Sequence, residues 1–202
     1  YDKGGGFVEI SSKNYLKRAN IAGVSLNGGT LLLDPRNIYV RDSSVGGTTL
    51  TSDLTNVDQY ADGGTTSYRV NSSIIESAIT SGTNVILKAQ RNIYVQSDII
   101  ATGSSGGDLT LNAGVDINIS ANITTANGNL TLEANNESIS GRGNNRYSDI
   151  DISSTLNLGT GDLNITLGNS NTTGSYDVNL SSATINANDC LLYTSPSPRD
   201  CD

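Results

Sequence analysis

The chain has 202 residues, of which 35% are hydrophobic and 5% aromatic, and its 12 basic and 20 acidic side chains give a net charge of -8. No run of about 18 apolar residues exists, which excludes a helical membrane span, and an acidic surface repels phosphate backbones, which argues against nucleic-acid binding. His is absent, and with it the commonest general base and zinc ligand; abundant Gly with a charged fraction of only 16% points to a regular β architecture with a thin core rather than to charged disorder.

Taken in chain order, the first strong signal is Arg36-Asn37-Ile38-Tyr39-Val40, which reappears verbatim as Arg91-Asn92-Ile93-Tyr94-Val95, a step of 55. Residues 45–66 are rich in Gly, Thr and Asp and read as an irregular loop or insertion that accounts for so long a step. Asn71 to Ile79 then places apolar residues at helical spacing. A helix of two turns is predicted near 73–79, with Ser73 and Glu76 at capping-box spacing and Gly82 as terminator.

Val85-Ile86-Leu87-Lys88-Ala89 and Ile93-Tyr94-Val95 align with Leu109-Thr110-Leu111-Asn112-Ala113 and Ile117-Asn118-Ile119 at a step of 24. The motif Gly107-Asp108-Leu109-Thr110-Leu111 returns as Gly128-Asn129-Leu130-Thr131-Leu132 at a step of 21, and more loosely as Gly161-Asp162-Leu163-Asn164-Ile165. Within each unit apolar residues alternate with Asn, Thr or Ser, the period of a half-buried strand. A unit this short buries its apolar face only by stacking on its neighbours. The fold class predicted is all-β, a right-handed parallel β-helix (solenoid) with one short helix, in which residues 1–189 form a single fragment of roughly eight coils. A leucine-rich repeat has a similar period, but its Leu-x-x-Leu-x-Leu-x-x-Asn pattern is not sustained.

Three segments together resemble large secreted exoproteins related to filamentous haemagglutinin, which are exported by two-partner secretion. They are Gly5-Gly6-Phe7-Val8-Glu9-Ile10-Ser11-Ser12-Lys13, Gly28-Gly29-Thr30-Leu31-Leu32-Leu33-Asp34-Pro35-Arg36-Asn37-Ile38, and Ser73 to Val95. The resemblance spans residues 4–105. It implies a long right-handed β-helix, secreted to the bacterial cell surface and serving adhesion or as a stalk. It also implies, as partners, the upstream and downstream segments of the same exoprotein, an outer-membrane transporter, and a host or cell-surface receptor or glycan. The Asn-Pro-containing secretion motifs of that family are missing, so an internal shaft segment is expected, with its export signal upstream. A solenoid without caps is further expected to associate end to end, more so at higher salt.

The last stretch differs in composition: it holds both cysteines, Cys190 and Cys201, and two of the 3 prolines. Cys190 to Asp200 resembles the translation of a sequencing-library adapter. Residues 190–202 are accordingly expected to be a non-native artefact tail making few contacts with the rest, and a disulfide or metal pairing of its cysteines is set aside.

Chemistry is expected to be absent: no catalytic, cofactor-binding or metal-binding residues are assigned. Asp149 and Asp151 flank Ile150 and share one strand face, where a carboxylate pair could divide acid and base roles or hold calcium. With Ile150 and Ile152 pointing inward, a solvated face is the simpler reading. Asp108, Asp116 and Asp162 occupy turn positions suited to backbone hydrogen bonding. Arg142, Arg146 and Tyr147 fall near a Gly-rich loop, and without His no Ser-His-Asp triad can form. Asn71, Asn118, Asn122, Asn129, Asn136, Asn164, Asn171 and Asn179 head Asn-x-Ser/Thr sequons that the outer-face alphabet of Asn, Ser and Thr produces by composition alone. The alternative function is a β-helical carbohydrate-active enzyme, a polysaccharide lyase or glycosidase.

Overall fold

The computed structural model describes residues 5–11, 18–20, 28–42, 56–62, 65–139, 147–168 and 175–194. In chain order the elements are β1 (Phe7–Ser11), β2 (Arg18–Asn20), β3 (Thr30–Asp34), β4 (Asn37–Val40), β5 (Asn56–Asp62), β6 (Thr65–Val70), α1 (Ser72–Thr80), β7 (Asn84–Ala89), β8 (Ile93–Val95), β9 (Ile99–Ile100) and β10 (Leu109–Ala113). They continue with β11 (Ile117–Ile119), β12 (Ile123–Thr124), β13 (Leu130–Ala134), β14 (Tyr147–Ile152), β15 (Thr155–Asn157), β16 (Leu163–Leu167), β17 (Ser175–Asn179), β18 (Thr184–Asn186) and β19 (Cys190–Thr194).

These strands form three sheets. Sheet A runs β1-β3-β7-β10-β13-β16-β19, sheet B runs β17-β14-β11-β8-β4-β6-β5-β2, and sheet C runs β18-β15-β12-β9. From β7 onward the chain visits A, B and C in turn, so each circuit lays one strand on every sheet, an arrangement consistent with a parallel solenoid. Among the described residues every pairing is parallel except β2 with β5 and β5 with β6.

The repeat sets the register. Leu109 lies opposite Leu130 and Leu111 opposite Leu132, as the step of 21 requires. Leu109 also lies opposite Val85 on the other side, and Ile38 opposite Ile93 across the 55-residue step. Because side chains alternate along a strand, this register sends every second residue inward. The inward residues stack in columns, such as Leu31, Val85, Leu109, Leu130 and Leu163 in sheet A, or Ile38, Ile93, Ile117 and Ile150 in sheet B. All of them are at most 4% exposed. The glycine of each Gly-Asx-Leu motif has a steric cause: a Cβ on Gly128 would collide with the Gly107 carbonyl, and one on Gly161 with the Gly128 carbonyl.

Four expectations need correction. Residues 45–66 are not wholly irregular: β5 and the start of β6 lie there as an antiparallel pair, with β6 laid parallel on β4. Residues 43–55 fall outside the described set. Among the described residues the coil count is smaller than eight, since sheet A has 7 strands including β19. The step widens to 33 between β13 and β16, which spends more residues per coil.

The helix is also capped differently. Asn71, not Ser73, is the N-cap, its side chain accepting the Ser73 N–H at 3.0 Å. Glu76 does not turn back to close a capping box; its Oε1 accepts the Ile100 N–H of the next coil at 2.9 Å, and Thr80 Oγ1 accepts the Thr102 N–H at 3.1 Å. Gly82 adopts φ +77 just past the helix end, as a terminator should. Finally, Cys190–Thr194 is not free of the stack. It forms β19, paired residue for residue with β16. An open sheet edge offers backbone N–H and C=O groups to any extended segment, so this pairing needs no complementary sequence. Leu191, which the register sets opposite the outward Asn164, is 64% exposed.

Candidate functional site

The outer surface is organised by Asn and Asp side chains placed one residue ahead of the first inward residue of a strand. On sheet B, Asn37 Oδ1 accepts the Asn92 N–H (3.2 Å), Asn92 Oδ1 that of Asp116 (3.3 Å), Asp116 Oδ1 that of Asp149 (3.2 Å), and Asp149 Oδ1 that of Asp177 (3.2 Å). On sheet A the same device links Asn84 to Asp108 (2.9 Å), Asp108 to Asn129 (2.8 Å) and Asn129 to Asp162 (2.9 Å). On sheet C it links Asp98 to Asn122 (2.8 Å) and Asn122 to Thr155 (3.0 Å). Each side chain thus satisfies a backbone donor of the following coil, at the corner where the chain enters a strand.

The Asp108 and Asp116 side chains therefore do bind backbone, but across coils rather than within their own turns, whereas Asp162 Oδ1 accepts from the Asn188 side-chain amide at 2.9 Å. Of the sequon residues, Asn122 and Asn129 are ladder members, while Asn71, Asn136 and Asn179 accept from the serine two positions on. Asn171, Arg142 and Arg146 lie outside the described residues.

Toward the C-terminal end of sheet B the ladder turns acidic. Asp149 and Asp151 are half-buried on the outer face while Ile150 and Ile152 are 0% and 2% exposed, so the pair sits where the strand alternation puts it. With Asp177, Asn179 and Ser181 these carboxylates line a shallow open cleft. Burial, joined by repulsion from Asp149 and Asp151, pushes the Asp116 carboxyl above its ordinary range, against the Asp149 N–H and the Arg91 charge, which lower it. Burial likewise raises Asp149, with Asp151 and Asp177 adding repulsion and the Asp177 N–H opposing. Among the described residues no group of three or more Asp, Glu, Cys or His is arranged to hold a metal ion.

In the middle of sheet B, Tyr39 of β4 and Tyr94 of β8 stack at 4.7 Å with 19° between their planes. In register, Tyr39 also lies opposite Arg69 and Tyr94 opposite Asn118, so the rings stand within a strand-to-strand column rather than forming a flat platform. Sequence reasoning did not single out this pair, although the verbatim repeat at 36–40 and 91–95 contained it. Lys88 bridges to Asp34 on the neighbouring coil at 3.3 Å.

Taken together, the fold and its surface define an all-β protein of stacked parallel coils with a polar, ladder-bonded exterior and an acidic strip at one end of one sheet. No family model matches the chain, and neither a curated protein nor a solved structure matches it. Among the described residues no helix is long and apolar enough to cross a membrane.

Proposed function

We propose that this chain is a structural and adhesive shaft segment of a large secreted bacterial surface exoprotein of the filamentous haemagglutinin-like, two-partner-secretion kind, a right-handed β-helix without catalysis. The observation that carries the reading is the run of corner ladders and stacked columns through every coil from β7 to β16, a construction that spends its polar side chains on holding coils together. The string Leu31-Leu32-Leu33-Asp34-Pro35-Arg36-Asn37-Ile38, which suggested the family, supports it further. Its turn is the dock for the next coil, with Pro35 and Arg36 carbonyls accepting the Gln90 and Arg91 N–H groups at 3.0 and 2.8 Å. Its partners on this reading are the neighbouring segments of the exoprotein, its outer-membrane transporter, and a host or cell-surface receptor or glycan.

The test is adherence. Beads coated with the full chain should bind a panel of host cells or immobilised glycans above uncoated controls, and should release no sugar from acidic polysaccharides. Absence of any binding across the panel would remove the adhesive part of the reading. The enzyme reading is favoured by one observation, the open cleft over Asp149 and Asp151. Polysaccharide turnover that is lost when both are changed to Asn would establish it in place of the shaft.

A further inference from the structure

The corner between sheets C and A contains a strained turn in the coil that runs from β12 to β13. Ala126 (φ +54) and Asn127 (φ +74) both lie in the left-handed region, and the Gly128 N–H closes the turn on the Thr125 carbonyl at 3.2 Å. Asn tolerates that conformation, whereas Ala carries a steric cost there. In the following coil, one step of 33 residues on, Gly159 (φ +62) takes the place of Ala126, and its turn closes from the Gly161 N–H to the Leu158 carbonyl at 2.9 Å.

The strained turn is held by Asn127. Its Nδ2 donates to the Ser104 carbonyl of the preceding coil at 3.1 Å, and its Oδ1 accepts the Thr160 N–H of the following coil at 3.0 Å. One half-buried carboxamide thus spans three coils. The space around it is closed: a Cβ on Gly159 would collide with Asn127 Oδ1, and a Cβ on Gly128 would collide with the Gly107 carbonyl.

Asn127-Gly128 is the complete Asn-Gly step among the described residues. Asn is a chemically labile residue, most of all before Gly, which has no side chain to shield its backbone nitrogen from the neighbouring carboxamide. The reaction is deamidation. The Gly128 nitrogen gives its proton to water and bonds to Asn127 Cγ; the Cγ–Nδ2 bond breaks and ammonia leaves, closing a succinimide. Water then opens the ring to Asp or, at the other carbonyl, to an isoaspartate whose main chain is one carbon longer. The fold opposes each requirement. The nucleophilic N–H is engaged by the Thr125 carbonyl, and attack at Cγ turns the carboxamide away from Ser104 and Thr160, which hold both its ends.

We propose that Asn127-Gly128 is a deamidation site gated by the stack: closed while the three coils are in register, reactive when the corner opens, and unable to restore the corner afterwards. The Asp product lacks the donor that Ser104 accepts from and sets a carboxylate against that carbonyl. The isoaspartate product adds a backbone carbon beside Gly128, where even a Cβ does not fit. The proposal is independent of the adhesive reading.

Incubation of the full chain at mildly alkaline pH, in buffer and in guanidinium chloride, tests it, with the mass change localised to Asn127 in a digest. Conversion in buffer should be at least about tenfold slower than in denaturant, because only the open fraction reacts. Gly159→Ala pushes on Asn127 from the neighbouring coil and leaves the Asn-Gly sequence intact. It should speed conversion in buffer at least about fivefold and leave the rate in denaturant unchanged. Hydrogen exchange on the unmutated chain gives a second measure that does not rely on that variant folding: the Gly128 amide should be protected by the same factor, within about threefold, since one opening exposes both. The converted chain, separated by its added charge, should unfold at lower denaturant. Equal conversion in buffer and denaturant, a folded Gly159→Ala chain that reacts no faster, an unprotected Gly128 amide, or a converted chain as stable as the original would each overturn the proposal.

Discussion

Asp116→Asn should stabilise the protein at neutral pH, whereas Asp116→Ala should destabilise it. Asp116 is half-buried and accepts the Asp149 N–H at 3.2 Å. Its carboxyl is held above the ordinary value of 3.8, by burial first and then by the charges of Asp149 and Asp151. A carboxyl whose folded pKa exceeds its unfolded one binds more protons when folded. Stability therefore falls as pH rises through the folded pKa, and the ionised side chain carries a penalty at pH 7 that is absent below 3.8. Asn keeps the Oδ1 acceptor, as Asn37 and Asn92 do in the same column, and has no charge to desolvate or repel. Because the group is half open to water, screening keeps the gain to about 0.5 kcal/mol, within the range for partly exposed charges. Ala also removes the charge but orphans the Asp149 donor, for a net loss of about 1 kcal/mol. In urea unfolding, 0.5 kcal/mol moves the midpoint upward by about 0.2–0.5 M at unchanged slope. The gain should vanish when the measurement is repeated below pH 3.8, where the wild-type side chain is neutral too. An Asn variant as unstable as the Ala variant at pH 7, or a gain that survives in acid, would refute the reasoning.

Leu111→Ala opens a cavity in a column with 0% exposure and should cost about 2–5 kcal/mol in a denaturant titration, while Thr110→Ala, one residue away on the outer face, should stay within about 0.5 kcal/mol. Asn122→Ala removes the acceptor for the Thr155 N–H and should cost about 0.5–1.5 kcal/mol, read as faster exchange of that amide. Glu76→Ala with Thr80→Val uncovers the β9 edge, so the Ile100 and Thr102 amides should exchange at least about tenfold faster, with β16 amides unchanged if opening is local.

Much of the stack was legible because two periods coincide in the sequence. The alternation of Leu109, Leu111 and Ala113 gave the inward face, and the recurrence of Gly-Asx-Leu gave the step, so the Leu109–Leu130 register followed without ambiguity. The ladders were not anticipated, although their signature is plain once the corners are known. Asx precedes a branched aliphatic residue at Asn37-Ile38, Asn92-Ile93, Asp116-Ile117, Asp149-Ile150, Asn84-Val85, Asp108-Leu109, Asn129-Leu130 and Asn122-Ile123. From the sequence Asn reads as part of the outer-face alphabet, and Asp108, Asp116 and Asp162 as turn residues bonding backbone, because a single coil cannot reveal that the partner is the next one. Strand β5 escaped notice because Asn56 to Asp62 has little apolar alternation, its pairing with β6 being made by backbone. The Asn71 cap was missed because two serines follow it and a Ser-x-x-Glu spacing drew the assignment to Ser73. Glu76 was spent on a contact 24 residues away, which local spacing cannot show.

The unequal coil lengths have a consequence for the surface. After Ala89 and Ala113 the chain re-enters sheet B at Ile93 and Ile117, but after Ala134 and Leu167 it does so only at Tyr147 and Ser175. In these two later circuits the surplus falls between sheets A and B, while the difference between the 24- and 21-residue steps falls between sheets C and A, and the strands on either side keep their partners, β13 with β16 and β11 with β14. Insertions at these corners are thus invisible to the core. The columns and the Asx positions are what folding needs, and length at the corners between sheets is free to drift. Longer connections there add surface along the seams between sheets without disturbing the stacked columns.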